Sequence, residues 1–136
     1  MKMAGLLLLY SSYTDIKNRE ISGTALILFA LAALPLRLLI QGSPITEMLL
    51  GAGTGIIMVI ISLATQGRLG MGDALLILVT GLYLGFERNL EMLLTALFIS
   101  AFFSILLFLK EKNLKREYPF VPFLLLAYGL SALFRN

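Results

Sequence analysis

The stretch Gly70-Met71-Gly72-Asp73 places an acidic residue behind two glycines, at the point where a long apolar segment begins. A carboxylate at the edge of a membrane helix is costly to keep, so Asp73 is a candidate functional residue. A second acidic residue, Asp15, ends the first apolar segment of the chain. These two positions predict a single site that Asp15 and Asp73 form together.

The composition indicates a membrane protein. Of the 136 residues, 59% are hydrophobic and only 14% are charged, and the mean hydropathy is +0.92. Soluble globular domains carry roughly 25% charged residues, and a soluble fold of this length cannot bury so much apolar surface. We therefore expect an all-α polytopic bundle of about six transmembrane helices, with residues 1–136 forming one transmembrane domain.

Several classes of function are excluded by residue types that the chain lacks. It has no cysteine and no histidine, which removes disulfides, thiol catalysis, Ser-His or Cys-His pairs and the usual zinc ligands. No run of basic residues alternates with aromatic residues, so we expect no nucleic-acid partner. The net charge of +3 is more typical of a topology signal than of a charged binding surface. We expect neither a cofactor nor a metal.

A transmembrane helix needs about 20 mostly apolar residues. The predicted spans are 3–14, extended through Asp15 towards Lys17, then 23–40, 45–65, 73–86, 90–109 and 118–134. Ser22 is the expected N-cap of the second helix, and Pro35 predicts a kink within it. Residues 66–72 are expected to form a glycine-rich connection and residues 87–89 a short turn. Pro119 suits the first turn of the last helix.

Lysine and arginine residues predict the orientation, because cytoplasmic connections carry an excess of both. The first, third and fifth connections hold Lys17, Arg19, Arg68, Lys110, Lys112, Lys115 and Arg116, and the opposite side holds Lys2, Arg37, Arg88 and Arg135. We therefore expect a multi-pass cell-membrane protein with both termini outside. The chain crosses twice between Asp15 and Asp73, which places both aspartates on one face, here the cytoplasmic face.

Two carboxylates at one depth can share a proton, so that one is ionised and the other is protonated. The ionised group can deprotonate a water, and the protonated group can hydrogen-bond a carbonyl and then protonate the leaving amine. Such a pair hydrolyses a peptide bond without serine, histidine, cysteine or metal. Gly70 and Gly72 would shape the site, because glycines allow unusual backbone conformations and a close approach of substrate.

Other interpretations of the same residues stay open. An isolated aspartate at a helix boundary is often only a solvated cap, and Asp73 also suits an ordinary N-cap. The chain could then be a small non-enzymatic membrane protein, such as a proton or cation carrier or an inactive assembly subunit. A carrier normally holds its acidic residues near the membrane midplane, whereas both aspartates here map to one edge, which favours an enzyme.

Four stretches follow one another in a recognisable order along nearly the whole chain. They are Asp15-Ile16-Lys17-Asn18-Arg19-Glu20-Ile21, Gly70-Met71-Gly72-Asp73, Gly81-Leu82-Tyr83-Leu84-Gly85 and Pro119-Phe120-Val121-Pro122-Phe123. Together they resemble the motifs of the type IV prepilin peptidases, which are membrane aspartyl peptidases with a GxGD motif. The chain departs from common family residues at Ser22, Leu75 and Val121, where many members have proline, lysine and glycine.

The resemblance implies an aspartic-type endopeptidase that removes the leader peptide from type IV prepilin-like proteins at the cytoplasmic edge of the membrane. Asp15 and Asp73 would be the catalytic pair. Many members also carry an N-terminal methyltransferase domain with paired cysteines. We expect no such domain here, and the sequence resembles the peptidase-only branch of tight-adherence pilus and preflagellin peptidases.

Further residues are expected to serve the site or the packing. Arg19 either anchors the topology or holds the Asp15 region in place. The residues that could pair with lysines of a basic leader are Glu20, Glu111 and Glu117. The stretch Gly51-Ala52-Gly53-Thr54-Gly55 is expected to form a close helix-packing face through Gly51 and Gly55.

Overall fold

The computed structural model describes residues 2–18, 21, 23–41, 44–66, 70–111 and 119–134. Within these residues the chain forms six α-helices and no strand, which confirms the all-α prediction. The helices are α1 (Lys2–Asn18), α2 (Gly23–Pro35), α3 (Ile45–Ala64), α4 (Met71–Leu84), α5 (Phe86–Glu111) and α6 (Val121–Phe134). A π-helical turn, Leu36–Gln41, extends α2 beyond Pro35, at the place where the sequence predicts a kink.

Two of the described helices are long and apolar enough to cross a membrane by length and composition. They are Ile45–Ala64 and Phe86–Lys110. Three further apolar helices are shorter, and these are Gly23–Leu39, Met71–Leu84 and Val121–Phe134. An α-helix of 14 residues such as α4 rises only about 21 Å, whereas the apolar core of a bilayer is about 30 Å thick. A bundle of about six spans therefore stays a prediction.

The connection between α4 and α5 is shorter than the sequence predicts. The turn expected at 87–89 is wrong, because α5 already begins at Phe86. Gly85 alone separates the two helices, with a φ of 79° that glycine adopts without a steric penalty. The carbonyl oxygen of Gly85 accepts the backbone N–H of Asn89 at 3.1 Å, so residues 87–89 lie in the first turn of α5.

Two other helix starts differ from the expected positions. Met71 and Gly72 belong to α4, because Gly70 is the N-cap residue of that helix and Asp73 its third residue. Helix α6 begins at Val121, so Pro119 precedes the helix and Pro122 lies in its first turn instead. Pro122 is tolerated there because the first residues of a helix have no intrahelical acceptor for an N–H. Ser22, the expected cap of α2, lies outside the described residues.

Glycines bring the backbones of α3 and α4 into direct contact. A Cβ on Gly55 would overlap the backbone of Leu78, and a Cβ on Gly51 would overlap the carbonyl oxygen of Gly81. A Cβ on Gly81 would in turn overlap the carbonyl oxygen of Gly51. The close packing face predicted at Gly51 and Gly55 is thus confirmed, and its partner is α4.

A buried polar cluster links the same two helices to α5. Asn89 has no exposed surface, and its side-chain amide donates to Thr54 Oγ1 on α3 and, at 3.0 Å, to the carbonyl oxygen of Ile77 on α4. Its Oδ1 accepts the hydroxyl of Thr80 at 2.9 Å. Hydrogen bonds of this kind hold helices together where apolar surroundings offer no competing water.

The C-terminal end of α4 is held by a buried cation. Arg37 is only 6% exposed, and its guanidinium donates at 3.4 Å to the carbonyl oxygen of Leu82. The same side chain pairs with Glu47 at the start of α3, with 3.9 Å between Nη2 and Oε2. A cation is favourable at this position because the last carbonyls of a helix carry partial negative charge.

The glycine contact between α3 and α4 can be tested with two substitutions on one helix. Gly55→Ala places a methyl group against the backbone of Leu78, so the helices must separate, and we expect a loss of roughly 1–3 kcal/mol in stability. Gly53→Ala is the matched control, since nothing lies within 4 Å of its Cβ and alanine favours the helix by about 0.5–1 kcal/mol. Thermal unfolding in detergent measures both variants, and a midpoint for Gly55→Ala at or above that of Gly53→Ala would contradict the contact.

Candidate active site

Asp15 lies on the buried face of α1, in the last turns of that helix. The inward residues recur at helical spacing, namely Ala4, Leu7, Leu8, Ser11, Ser12 and Asp15. Asp15 is therefore only 8% exposed, although it lies close to the helix end. A buried carboxylate needs hydrogen-bond donors, because burial without them is costly.

The donor for Asp15 comes from the first turn of α6. Asp15 Oδ2 accepts the backbone N–H of Val121 at 3.3 Å. Pro119 and Pro122 carry no N–H, and the N–H of Phe123 is bonded to the carbonyl oxygen of Phe120 at 3.0 Å. Val121 is therefore a donor in this segment that bonds an acceptor outside the helix, and the positive end of the helix dipole favours a carboxylate in that place.

Asp73 is half-buried in the first turn of α4 and folds back towards Gly70. Its Oδ2 lies 2.9 Å from the position that a Cβ on Gly70 would occupy. The backbone of Gly70, with φ −53° and ψ 121°, is open to any residue, so glycine is needed there for space and not for conformation. The first glycine of the Gly70-Met71-Gly72-Asp73 stretch thus makes room for the carboxylate.

The second glycine makes room for a residue from the connection after α1. A Cβ on Gly72 would lie 3.2 Å from Cδ1 and 3.3 Å from Cβ of Ile21. Ile21 is the last residue of the stretch that begins at Asp15, and it packs against the hydrophobic core. The two aspartate-bearing stretches are therefore in direct contact through Ile21 and Gly72.

The structure brings the two aspartates to one end of the helical bundle. Asp15 lies near the end of α1 and Asp73 in the first turn of α4, and the contact of Ile21 with Gly72 brings these two helix ends together. Arg37 and Gly85 lie at the other end of α4. Two partly buried carboxylates, close to each other and to a helix N-terminus, form an arrangement that can exchange a proton and bind a polar group.

Reasoning from the sequence missed two features of this region. One is the N–H of Val121, which the prolines at 119 and 122 could have indicated, because neither proline has an N–H to donate. The other is Ser11, which is 1% exposed and whose hydroxyl has no hydrogen-bond partner among the described residues. The sequence could have indicated Ser11 by its spacing, because residues four apart lie on one face of a helix and Ser11 lies four residues before Asp15.

Some expected site residues are not open to comparison. Arg19, Glu20 and Glu117 lie outside the described residues, as does the side chain of Glu111. Among the described residues, no three aspartate or glutamate side chains come together in a group that could hold a metal ion.

Comparison with known proteins identifies the family. No curated protein and no solved structure matches the chain. A model of the type IV leader peptidase family matches residues 3–109, a range that contains both aspartates and the contact between Ile21 and Gly72. The match covers most of the chain and agrees with the resemblance found in its motifs, and the chain therefore belongs to the type IV leader peptidase family.

Proposed function

We propose that this protein is a membrane-embedded aspartic endopeptidase that removes the leader peptide from type IV prepilin-like proteins. The observation that carries the proposal is that Asp15 and Asp73 lie at the same end of the bundle, on helix ends that meet through Ile21 and Gly72, in a chain of the type IV leader peptidase family. Each aspartate lies in a stretch that resembles a motif of that family. The contact of Ile21 with Gly72 holds the two stretches together.

The chemistry follows from two carboxylates that share one proton. The ionised carboxylate removes a proton from a water molecule, and the water oxygen attacks the carbonyl carbon of the scissile peptide bond. The protonated carboxylate donates a hydrogen bond to the carbonyl oxygen and then passes its proton to the leaving amine. Because the two groups titrate as a pair, neither is assigned individually as acid or base.

Exposed apolar side chains support the proposed location in the membrane. Large apolar side chains of α5 face outward, among them Phe98, Phe102 and Leu109, and exposed apolar surface of this extent suits lipid. We place the aspartates at the cytoplasmic edge, because the connections on their side carry most of the lysines and arginines. A basic leader would pair there with Glu20, Glu111 or Glu117, and Arg19 would shape the site.

Replacement of either aspartate by asparagine tests the catalytic pair. We expect Asp15→Asn and Asp73→Asn each to lower cleavage of a co-expressed prepilin from the same genome at least about 100-fold, because an amide cannot take part in proton transfer. Glu91→Gln, at an exposed position of α5, is the matched control and should cleave normally. Cleavage by either aspartate variant at the wild-type level would remove that residue from the mechanism. No cleavage of any candidate prepilin by the wild type would favour a non-enzymatic membrane protein.

A second pair of variants separates the structural contact of Asp15 from its chemistry. Asp15→Asn keeps an oxygen acceptor for the N–H of Val121, whereas Asp15→Ala leaves this buried donor unpaired. We expect both variants to be inactive, but only Asp15→Ala to lose stability, by about 1–3 kcal/mol. Thermal unfolding in detergent measures the difference. Equal midpoints for the two variants would show that the bond to Val121 contributes nothing.

Measurement of cleavage activity tests whether the absence of a side chain at Gly70 is needed to make room for the Asp73 carboxylate. Gly70→Ala brings a methyl group to 2.9 Å from Asp73 Oδ2, and the carboxylate must move to avoid it. Since misplacement of a reacting group by about 1 Å can cost up to 100-fold in rate, we expect cleavage to fall about tenfold or more. Gly23→Ala is the control, because nothing lies within 4 Å of its Cβ at the start of α2. Equal activity of the two variants would contradict the role of Gly70.

A further inference from the structure

The buried hydroxyl of Ser11 has no role in the mechanism described above, yet its position is costly. The side chain is 1% exposed, and its Oγ has no hydrogen-bond partner among the residues that the structure describes. Burial of a hydroxyl without a partner is unfavourable, and most buried hydroxyls in native proteins are bonded. Alanine would fill this position on the buried face of α1 without such a penalty.

The place of Ser11 connects it with the aspartates. Ser11 lies one helical turn before Asp15 on the same face of α1, about 6 Å along the helix axis. The Ile21 and Gly72 contact lies on the other side of Asp15, towards the connections between helices. Ser11 is therefore on the inner side of Asp15, where α1 continues into the apolar core that includes Leu7, Leu8 and Leu124.

A substrate peptide creates the need for a hydrogen-bond donor at this place. A peptide bond must leave any helix before water can attack its carbonyl carbon, and the backbone groups beside it then lose their intrahelical partners. Unpaired N–H and C=O groups are costly at membrane depth, because no bulk water replaces the lost bonds. A hydroxyl can both donate and accept, so it can pair with either backbone group.

We infer that Ser11 is a substrate-binding residue, whose hydroxyl hydrogen-bonds the unwound substrate backbone on the inner side of the scissile bond. This inference rests on the proposed peptidase function. The substrate residues that Ser11 contacts are those just after the cleavage position, where the apolar part of the substrate continues into the membrane. Ser11 touches no reacting atom, so it contributes to binding and alignment.

The test compares Ser11→Ala with the wild type in full-length enzyme purified in detergent, using a prepilin from the same genome. We expect Ser11→Ala to lower kcat/KM about tenfold, the effect of one hydrogen bond to substrate, and to leave the thermal unfolding midpoint unchanged or higher. Ser100→Ala is the matched control, since the Ser100 hydroxyl is bonded within α5 to the carbonyl oxygen of Leu97 at 3.0 Å. That control should keep the wild-type kcat/KM.

A synthetic substrate identifies the contact on the peptide side. Replacement of a backbone amide by an ester, one to three residues beyond the scissile bond, removes an N–H and weakens a carbonyl acceptor. We expect one such ester to lower kcat/KM with the wild type and to have little further effect with Ser11→Ala, because the two changes remove the same bond.

The outcomes separate this inference from the proposed function. Cleavage by the wild type, with kcat/KM of Ser11→Ala within twofold of it, would overturn the role of Ser11 and leave the peptidase function standing. A lower unfolding midpoint for Ser11→Ala with unchanged kcat/KM would make Ser11 a structural residue and would also overturn the inference. Absence of cleavage by the wild type would overturn the peptidase function and this inference with it.

Discussion

The backbone contact between α3 and α4 is the constraint on which the rest of the structure depends. Gly51 and Gly55 allow α3 to lie directly against Gly81 and Leu78, with no side chain between the two helices. Helices that approach so closely gain dispersion contacts along their length and lose the freedom to slide. The position of α4 is thereby set, and with it the position of Asp73 in its first turn.

Hydrogen bonds between helices that are far apart in the sequence then fix how the other helices pack. Asn89 joins α5 to α3 and α4, and the hydroxyl of Tyr83 donates from α4 to the carbonyl oxygen of Phe29 on α2. Arg37 holds the far end of α4. In a chain that is 59% hydrophobic, apolar surface is available in every direction, so these few polar pairs select one packing among many.

Asp15 takes part in this selection as well as in the proposed chemistry. Its bond to the N–H of Val121 docks the start of α6 onto the end of α1, across 106 residues of sequence. The bond occupies one carboxylate oxygen, and in the proposed mechanism the other oxygen exchanges a proton with Asp73 or water. A residue that both joins two helices and reacts is held in a defined orientation, which is the condition for efficient proton transfer.

Much of this protein follows from local sequence. The apolar segments determined an all-helical chain and most helix positions to within a few residues, and the number of segments between Asp15 and Asp73 determined their placement at the same end of the bundle. The spacing of Gly51 and Gly55 determined a close packing face. These properties depend on residues near each other in the chain, so they can be deduced without knowing how the helices assemble.

Only the tertiary structure decided which groups meet. It pairs Asp15 with Val121, sets Ile21 against Gly72, buries Ser11 one turn before Asp15 and reverses the chain at Gly85 instead of at 87–89. Hydrogen-bond partners of this kind depend on the rotation and depth of each helix relative to the others. Those quantities arise from the sum of many weak contacts across the bundle, and no local pattern of residues contains them.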